Sequence, residues 1–356
     1  MSRWLLVPVL AVSACADPPS APSRPVAPPA LSAASPAPSA SIPIAPAPPP
    51  SSSAPVTAPV DLRVTADEAL VLLYPEPGEA RAAAGDHCAS SSEGGERIAC
   101  LLDVRYAADP EAARLAVDLY RETGSVAGLE PERVMDGGYR GQIHLVPDLP
   151  VGAKRVHLAW VSTALVRARD FVDSVRAQAA EPDSVRFRVT HLRLRFFRSV
   201  DKRTPSAYAD DFVVGYNTVG SLNRSAGAVT DTLFHELFHA NDAAHGEFSV
   251  RALDDLHRAI RARCGAKTAC LAPYAPTDTQ VVGGTYYAFQ PGNDVREYGA
   301  EIASRFFTET AAVLAKKPLT RPPFRCGPPE NAKAFDLVVR EMFGGVVLGP
   351  VCPESP

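Results

Sequence analysis

This chain has no surplus of basic charge. Its 36 lysines and arginines face 40 aspartates and glutamates, a formal net charge of -4 over 356 residues. With a pI near 6.1, nothing electrostatic points to nucleic acid as a partner. Membrane-spanning length is missing too: the apolar run from Leu5 to Val12 is too short to cross a bilayer as a stable helix. Methionine is scarce, three residues in all, and none builds a turn after the histidine motif described below. No two cysteines stand as Cys-x-x-Cys, so a structural zinc cluster is not expected. No internal repeat is apparent. What remains is 46% hydrophobic residues, enough for a real core.

The N-terminus stands apart from that core. Arg3, the Leu5–Val12 run and the small residues before Cys15 read as a secretory signal over residues 1–15. Val12-Ser13-Ala14-Cys15 resembles the lipobox of bacterial lipoproteins. That resemblance implies an exported protein of the bacterial cell envelope, with lipid on Cys15 as its membrane anchor. Ala16 after the cysteine leans towards the outer membrane. Residues 16–59 are almost entirely Pro, Ala and Ser. They lack the apolar side chains that offset ordering entropy, so a disordered tether is expected there. The other six cysteines are an even number, which in an exported chain suggests disulfides. The simplest pairing joins sequence neighbours: Cys88 with Cys100, Cys264 with Cys270, and Cys326 with Cys352.

Periodicity divides the rest into a leading region of unknown role, residues 60–150, and a main domain over 151–356. The first holds a strand-like piece at Leu62–Val64, helices at Glu68–Leu73 and Pro110–Arg121, and a turn at Gly137–Gly141. In the second, a long helix is expected over Lys154–Ala179. Strand follows at 185–200, with a bulge or a break near His191, and again at Phe212–Val219. Helices at Phe248–Arg263, Val295–Ala315 and Asn331–Phe343 complete the pattern. The fold class is α+β, with a small mixed sheet packed on helices.

Within the helix that Thr230 is expected to cap lies the stretch "TLFHELFHANDAAHG", residues 232–246. His235 and His239 are four apart and share a helix face, so each can point one nitrogen at a single ion. Neutral imidazole suits Zn2+, one per chain, which lowers the pKa of a bound water to about 7. Glu236, one residue round the helix, is placed to take that proton and return it to a leaving amine.

A catalytic zinc needs a third protein ligand, and two candidates stand open. His245 sits where metzincin-type proteases place their third histidine, but Asp242 replaces their turn glycine. If the helix ran on, His245 would face about 120° away from His239. The rival is Glu297, 58 residues past His239, with Glu301 one turn further on. Glu301 can there accept a hydrogen bond from a ligand histidine. Both also have plain roles, as part of a capping box with Asp294 and as a salt bridge to Arg305.

His235-Glu236-Leu-Phe-His239-Ala240-Asn241-Asp242, followed by Glu297-Tyr298-Gly299-Ala300-Glu301, resembles the gluzincin-type zinc metallopeptidases related to anthrax lethal factor. The likeness covers about residues 210–310. It implies a zincin-like domain in which Glu297 is the third ligand, Glu301 and Asp242 support the ligands, and Tyr286 or Tyr287 steadies the developing oxyanion. The chain departs from the pattern in having a tyrosine pair and a longer gap before Glu297. The expected activity is hydrolysis of a peptide or protein substrate, with residues 212–219 offering the sheet edge. The alternative is a non-catalytic metal-binding or scaffold lipoprotein.

Overall fold

The computed structural model describes residues 63–91, 94–210, 212–349 and 352. The signal, Cys15, the tether and Leu62 lie outside the described residues. Arg63 and Val64, expected in a strand, instead lead into a helix: Thr65 and Glu68 form a reciprocal capping box that starts α1 (Ala66–Leu73). Next come α2 (Glu79–His87), α3 (Gly94–Arg105) and α4 (Pro110–Thr123). Asp109 caps α4, and Gly124 ends it in the left-handed conformation that glycine adopts without strain.

One mixed sheet then forms from β1 (Val126–Leu129), β2 (Arg133–Asp136), β3 (Gln142–Pro147), β4 (Arg193–Ser199), β5 (Ala207–Asp210) and β6 (Val213–Asn217). Its order is β2-β3-β4-β6-β5. β1 runs parallel to the first half of β4 and β3 antiparallel to its second half, so the two share one side of that strand. Strands from either side of residue 150 therefore belong to one sheet, and no break in packing falls there. The sheet curls until its outer strands meet: Arg133 Nη2 on β2 donates to Tyr208 Oη on β5 at 2.9 Å.

Helix α5 (Val156–Gln178) buries Leu158, Val161, Leu165, Val172 and Val175 along one stripe and packs against α6 (Ala226–Ala244). The chain ends with α7 (Phe248–Cys264), the short α8 (Thr268–Leu271), α9 (Val295–Leu314) and α10 (Pro329–Phe343). The α+β class and its mixed sheet are as the sequence suggested. The six cysteines pair 88–100, 264–270 and 326–352. Such bonds fit an oxidising, extracytoplasmic compartment. No described helix is long and apolar enough to cross a membrane.

Three local expectations are corrected. Residues 185–192 are not strand: the amides of Arg186 and Phe187 donate to the Met342 carbonyl, and those of Arg188 and Val189 to Asn241 Oδ1. The change of apolar parity near His191 marks where this side-chain-bound segment gives way to β4. Secondly, Ser225 rather than Thr230 caps α6, and the Thr230 hydroxyl bonds back to the Ala226 carbonyl. Thirdly, β6 is not an edge. β5, unforeseen as a strand, pairs antiparallel to it and takes the outer position.

Candidate metal centre

Val229, Leu233 and Leu237 are fully buried along α6, which fixes the helix's rotation. The other stripe turns His235 and His239 together, with Nε2 atoms 3.1 Å apart. Glu297 Oε2 lies 2.9 Å from His235 Nε2 and 3.6 Å from His239 Nε2. Three electron-pair donors thus converge on one point, and the group His235, His239, Glu297 could hold a metal ion. Two imidazoles and a carboxylate, with no fourth protein donor at that point among the described residues, suit a divalent ion with an open position.

Packing between helices brings the carboxylate there. Asp294 caps α9, accepting from the Arg296 amide at 2.8 Å, and puts Glu297 in the first turn. Gly299 lets α9 sit close: a Cβ there would stand 2.3 Å from Ser249 Oγ and 3.1 Å from Phe238 Cε1. Aromatic stacking holds the same pair of helices, with the Phe234 and Phe307 rings 4.2 Å apart between centroids. The Glu297 side chain points to the histidines, so it does not close a capping box with Asp294.

Glu301 is buried one turn on. Its Oε1 is 3.6 Å from His235 Nδ1, an ion-pair distance longer than a hydrogen bond, and its Oε2 accepts from the Thr277 hydroxyl. Arg305, proposed as its partner, pairs with buried Glu309 instead. Nothing in the sequence marked Thr277.

The electrostatics follow from burial against charge. Burial works against a charged imidazole at His235, but the hydrogen bond and charge of Glu297, helped by Glu236 and Glu301, prevail and push its pKa up to about 9. Burial would also raise the Glu297 carboxyl, yet bonds and charges from both histidines hold it well below the ordinary range. Glu236 is buried, and desolvation raises its pKa, opposed by the two histidines and reinforced by Glu297. A carboxyl poised in this way can accept and release a proton.

His245 is not brought to the group. The helix runs on through Asn241 and Asp242 to Ala244 with no turn there, and His245 Nδ1 bonds the Asn241 carbonyl at 2.6 Å. Asp242 Oδ1 accepts from the Ser249 amide at 2.8 Å, anchoring the start of α7 rather than a ligand histidine. Of the tyrosines, Tyr287 borders the same cavity as Glu236, His239 and Glu297, its ring 6.0 Å from that of His235. Tyr286 bridges to Gln280 and packs on the core. Sequence reasoning also missed His257, which is buried on α7 with Nε2 bonded to the Ala288 carbonyl at 2.9 Å, beside Tyr287. Its place between Leu253 and Ile260 on one helix stripe was a usable signal of burial.

The cavity measures about 410 Å³. Helix α6 and the 287–297 segment form one side, and the β2–β3 hairpin with β5 the other. Compared with known proteins, the chain matches no family model, and neither the curated proteins nor the solved structures contain a match to it.

Proposed function

We propose that the protein is a zinc-dependent peptidase, exported and held to a membrane by lipid on Cys15. The observation that carries this reading is the convergence of His235, His239 and Glu297 beside a buried Glu236, next to a cavity that Glu236, His239 and Glu297 line together with an edge strand. A zinc ion bound there would supply a Lewis acid that polarises a carbonyl and activates water. Everything else falls to the chain's own residues. Glu236 takes the proton of the attacking water and passes it to the leaving amine. Of the two tyrosines, Tyr287 is assigned the role of steadying charge on the carbonyl oxygen, because it borders the cavity with its ring 6.0 Å from that of His235. The outer edge of β5 replaces residues 212–219 as the rail on which an extended peptide aligns. A scavenging or structural metal site would have no use for a buried base next to its ligands.

The deciding experiment compares the zinc-loaded protein with its Glu236→Gln variant on a denatured protein substrate. Hydrolysis should fall by roughly 10²- to 10⁴-fold while zinc content is retained. Equal cleavage by the variant would defeat the mechanism. Tight zinc without any cleavage by the parent would point to the metal-binding alternative.

A further inference from the structure

Tyr287 sits in a stretch with little regular structure to hold it. Between α8 and α9 the described chain makes two short 3-10 turns, Ala272–Tyr274 and Tyr287–Phe289, and a single bridge from Gln280 to Tyr286. A phenol that steadies a developing charge has to be held to within ~0.5 Å by the groups around it. Secondary structure does not supply that here, so the hydrogen bonds to this turn matter.

Three of them fix its backbone, and two come from side chains. The Tyr287 amide donates to the Thr279 carbonyl at 2.8 Å. Asn293 Nδ2 donates to the Tyr287 carbonyl at 2.8 Å. His257 Nε2 reaches the carbonyl of the next residue, Ala288, at 2.9 Å. Burial lowers the pKa of His257, which favours the neutral ring. A carbonyl can only accept, so that ring carries its proton on Nε2.

Both donors are also tied to the helix that brings Glu297. Asn293 immediately precedes Asp294, the cap of α9, and its own amide donates to the Gln290 carbonyl at 2.9 Å. Glu297 follows in the first turn of that helix. His257 forms a three-ring cluster: its centroid lies 5.4 Å from Phe289 and 5.5 Å from Tyr298, which are themselves 5.3 Å apart. All three rings are buried, Phe289 ends the Tyr287 turn, and Tyr298 adjoins Glu297. One donor thus links the turn to the start of α9, and the other locks it against α7 and α9 from behind.

We infer that Asn293 and His257 are positioning residues for Tyr287: they hold the backbone of its turn so that the phenol keeps one spacing from Glu297. Neither belongs to the group that could hold a metal, and each acts through the tyrosine. This rests on the peptidase reading above and on the role given there to Tyr287.

The test is a double-mutant cycle on peptide hydrolysis by the zinc-loaded full chain. Asn293→Ala should lower kcat by about 10- to 100-fold with little change in KM, because a reacting group displaced by about 1 Å costs on that order. Placed in Tyr287→Phe, which has no hydroxyl left to position, the same change should cost less than about 2-fold. A residue that only stabilises the fold, or that touches the substrate itself, lowers the rate equally in both backgrounds. His257→Phe keeps a ring in the cluster, loses the donor and should repeat the pattern. Asn293 is only half-buried, so its truncation carries the test if the histidine variant does not fold. Equal losses in both backgrounds, or no loss from Asn293→Ala, would overturn the positioning role and leave the peptidase reading intact. A Tyr287→Phe variant as fast as an active parent would remove the role of Tyr287 and this inference with it, but not the peptidase. Failure of the zinc-loaded parent to cleave any peptide would remove both.

Discussion

His235 Nε2 and Glu297 Oε2 lie 2.9 Å apart across 62 residues of sequence, the longest chain separation within the group that could hold a metal. This contact sets the charge state of the metal-free protein. With its pKa pushed up to about 9, His235 carries a proton at pH 7.5, whereas a metal takes the neutral imidazole. Zinc uptake at that pH should therefore release close to one proton from this ring. Calorimetry in two buffers of different ionisation enthalpy reads the number directly, and a value near zero would refute the coupling. In stability terms the raised pKa works in the opposite sense to an acid. The contribution of protonated His235 to the metal-free fold is complete below pH 6.5 and is lost as pH climbs through about 9.

Glu301 and Thr277 support the same ring from behind. Glu301→Gln should weaken zinc binding by about 10- to 100-fold, the usual scale for residues that orient a ligand. Thr277→Val should weaken it less, because the carboxylate stays and only its tether goes. Competition with a chromophoric chelator measures both. Parent-like affinity in Glu301→Gln would mean that this carboxylate is merely buried near the site.

Asn241 is fully buried two residues after His239 and holds the 185–192 segment: its Oδ1 accepts from the Arg188 and Val189 amides, and its Nδ2 donates to the Val189 and Leu237 carbonyls. Asn241→Ala removes that partner from the interior. The Leu237 carbonyl keeps its helix bond within α6, so three groups lose their partner; at about 1–3 kcal/mol each, a total loss of at least ~3 kcal/mol is expected. Urea unfolding with disulfides intact would show it, and a loss under 1 kcal/mol would contradict the accounting.

Two histidines are buried neutral. Burial lowers the pKa of His157, which bonds Tyr216 Oη at 2.9 Å, with Lys154 adding to the effect, and burial likewise lowers that of His257. Both start from an ordinary value of 6.5. Because the folded values are depressed, this stability is complete above pH 6.5 and is lost as pH falls, when the unfolded chain takes up protons that the fold refuses. Unfolding free energy should therefore drop as pH falls below 6.5, less steeply in His257→Gln than in the parent. Identical slopes would show that His257 does not titrate in this way.

Much of the secondary structure could be read in advance because its causes are local. Asp109-Pro110 before an amphipathic run starts α4, and apolar spacing from Leu158 to Val172 marks α5. What could not be read depended on partners far away in sequence. Phe187 and Val189 alternate like strand residues, but their amides bond to Met342 and Asn241, which no window of sequence contains. β5 escaped notice because four residues with two alanines carry almost no period of their own, and only pairing with β6 makes them a strand.

The sequence by itself determined the imidazole pair and the glutamate beside it, since a four-residue step on a helix fixes their common face whatever surrounds them. The even count of six cysteines suggested disulfides, and the simplest pairing, neighbour with neighbour, is the connectivity the structure shows. Only the tertiary structure decided between Glu297 and His245. That choice turns on how closely α9 packs on α6, through Gly299 and the Phe234–Phe307 stack, and on α6 running straight through Asn241-Asp242. Helix periodicity reaches a few residues along the chain; distances between helices are set by what fits between them.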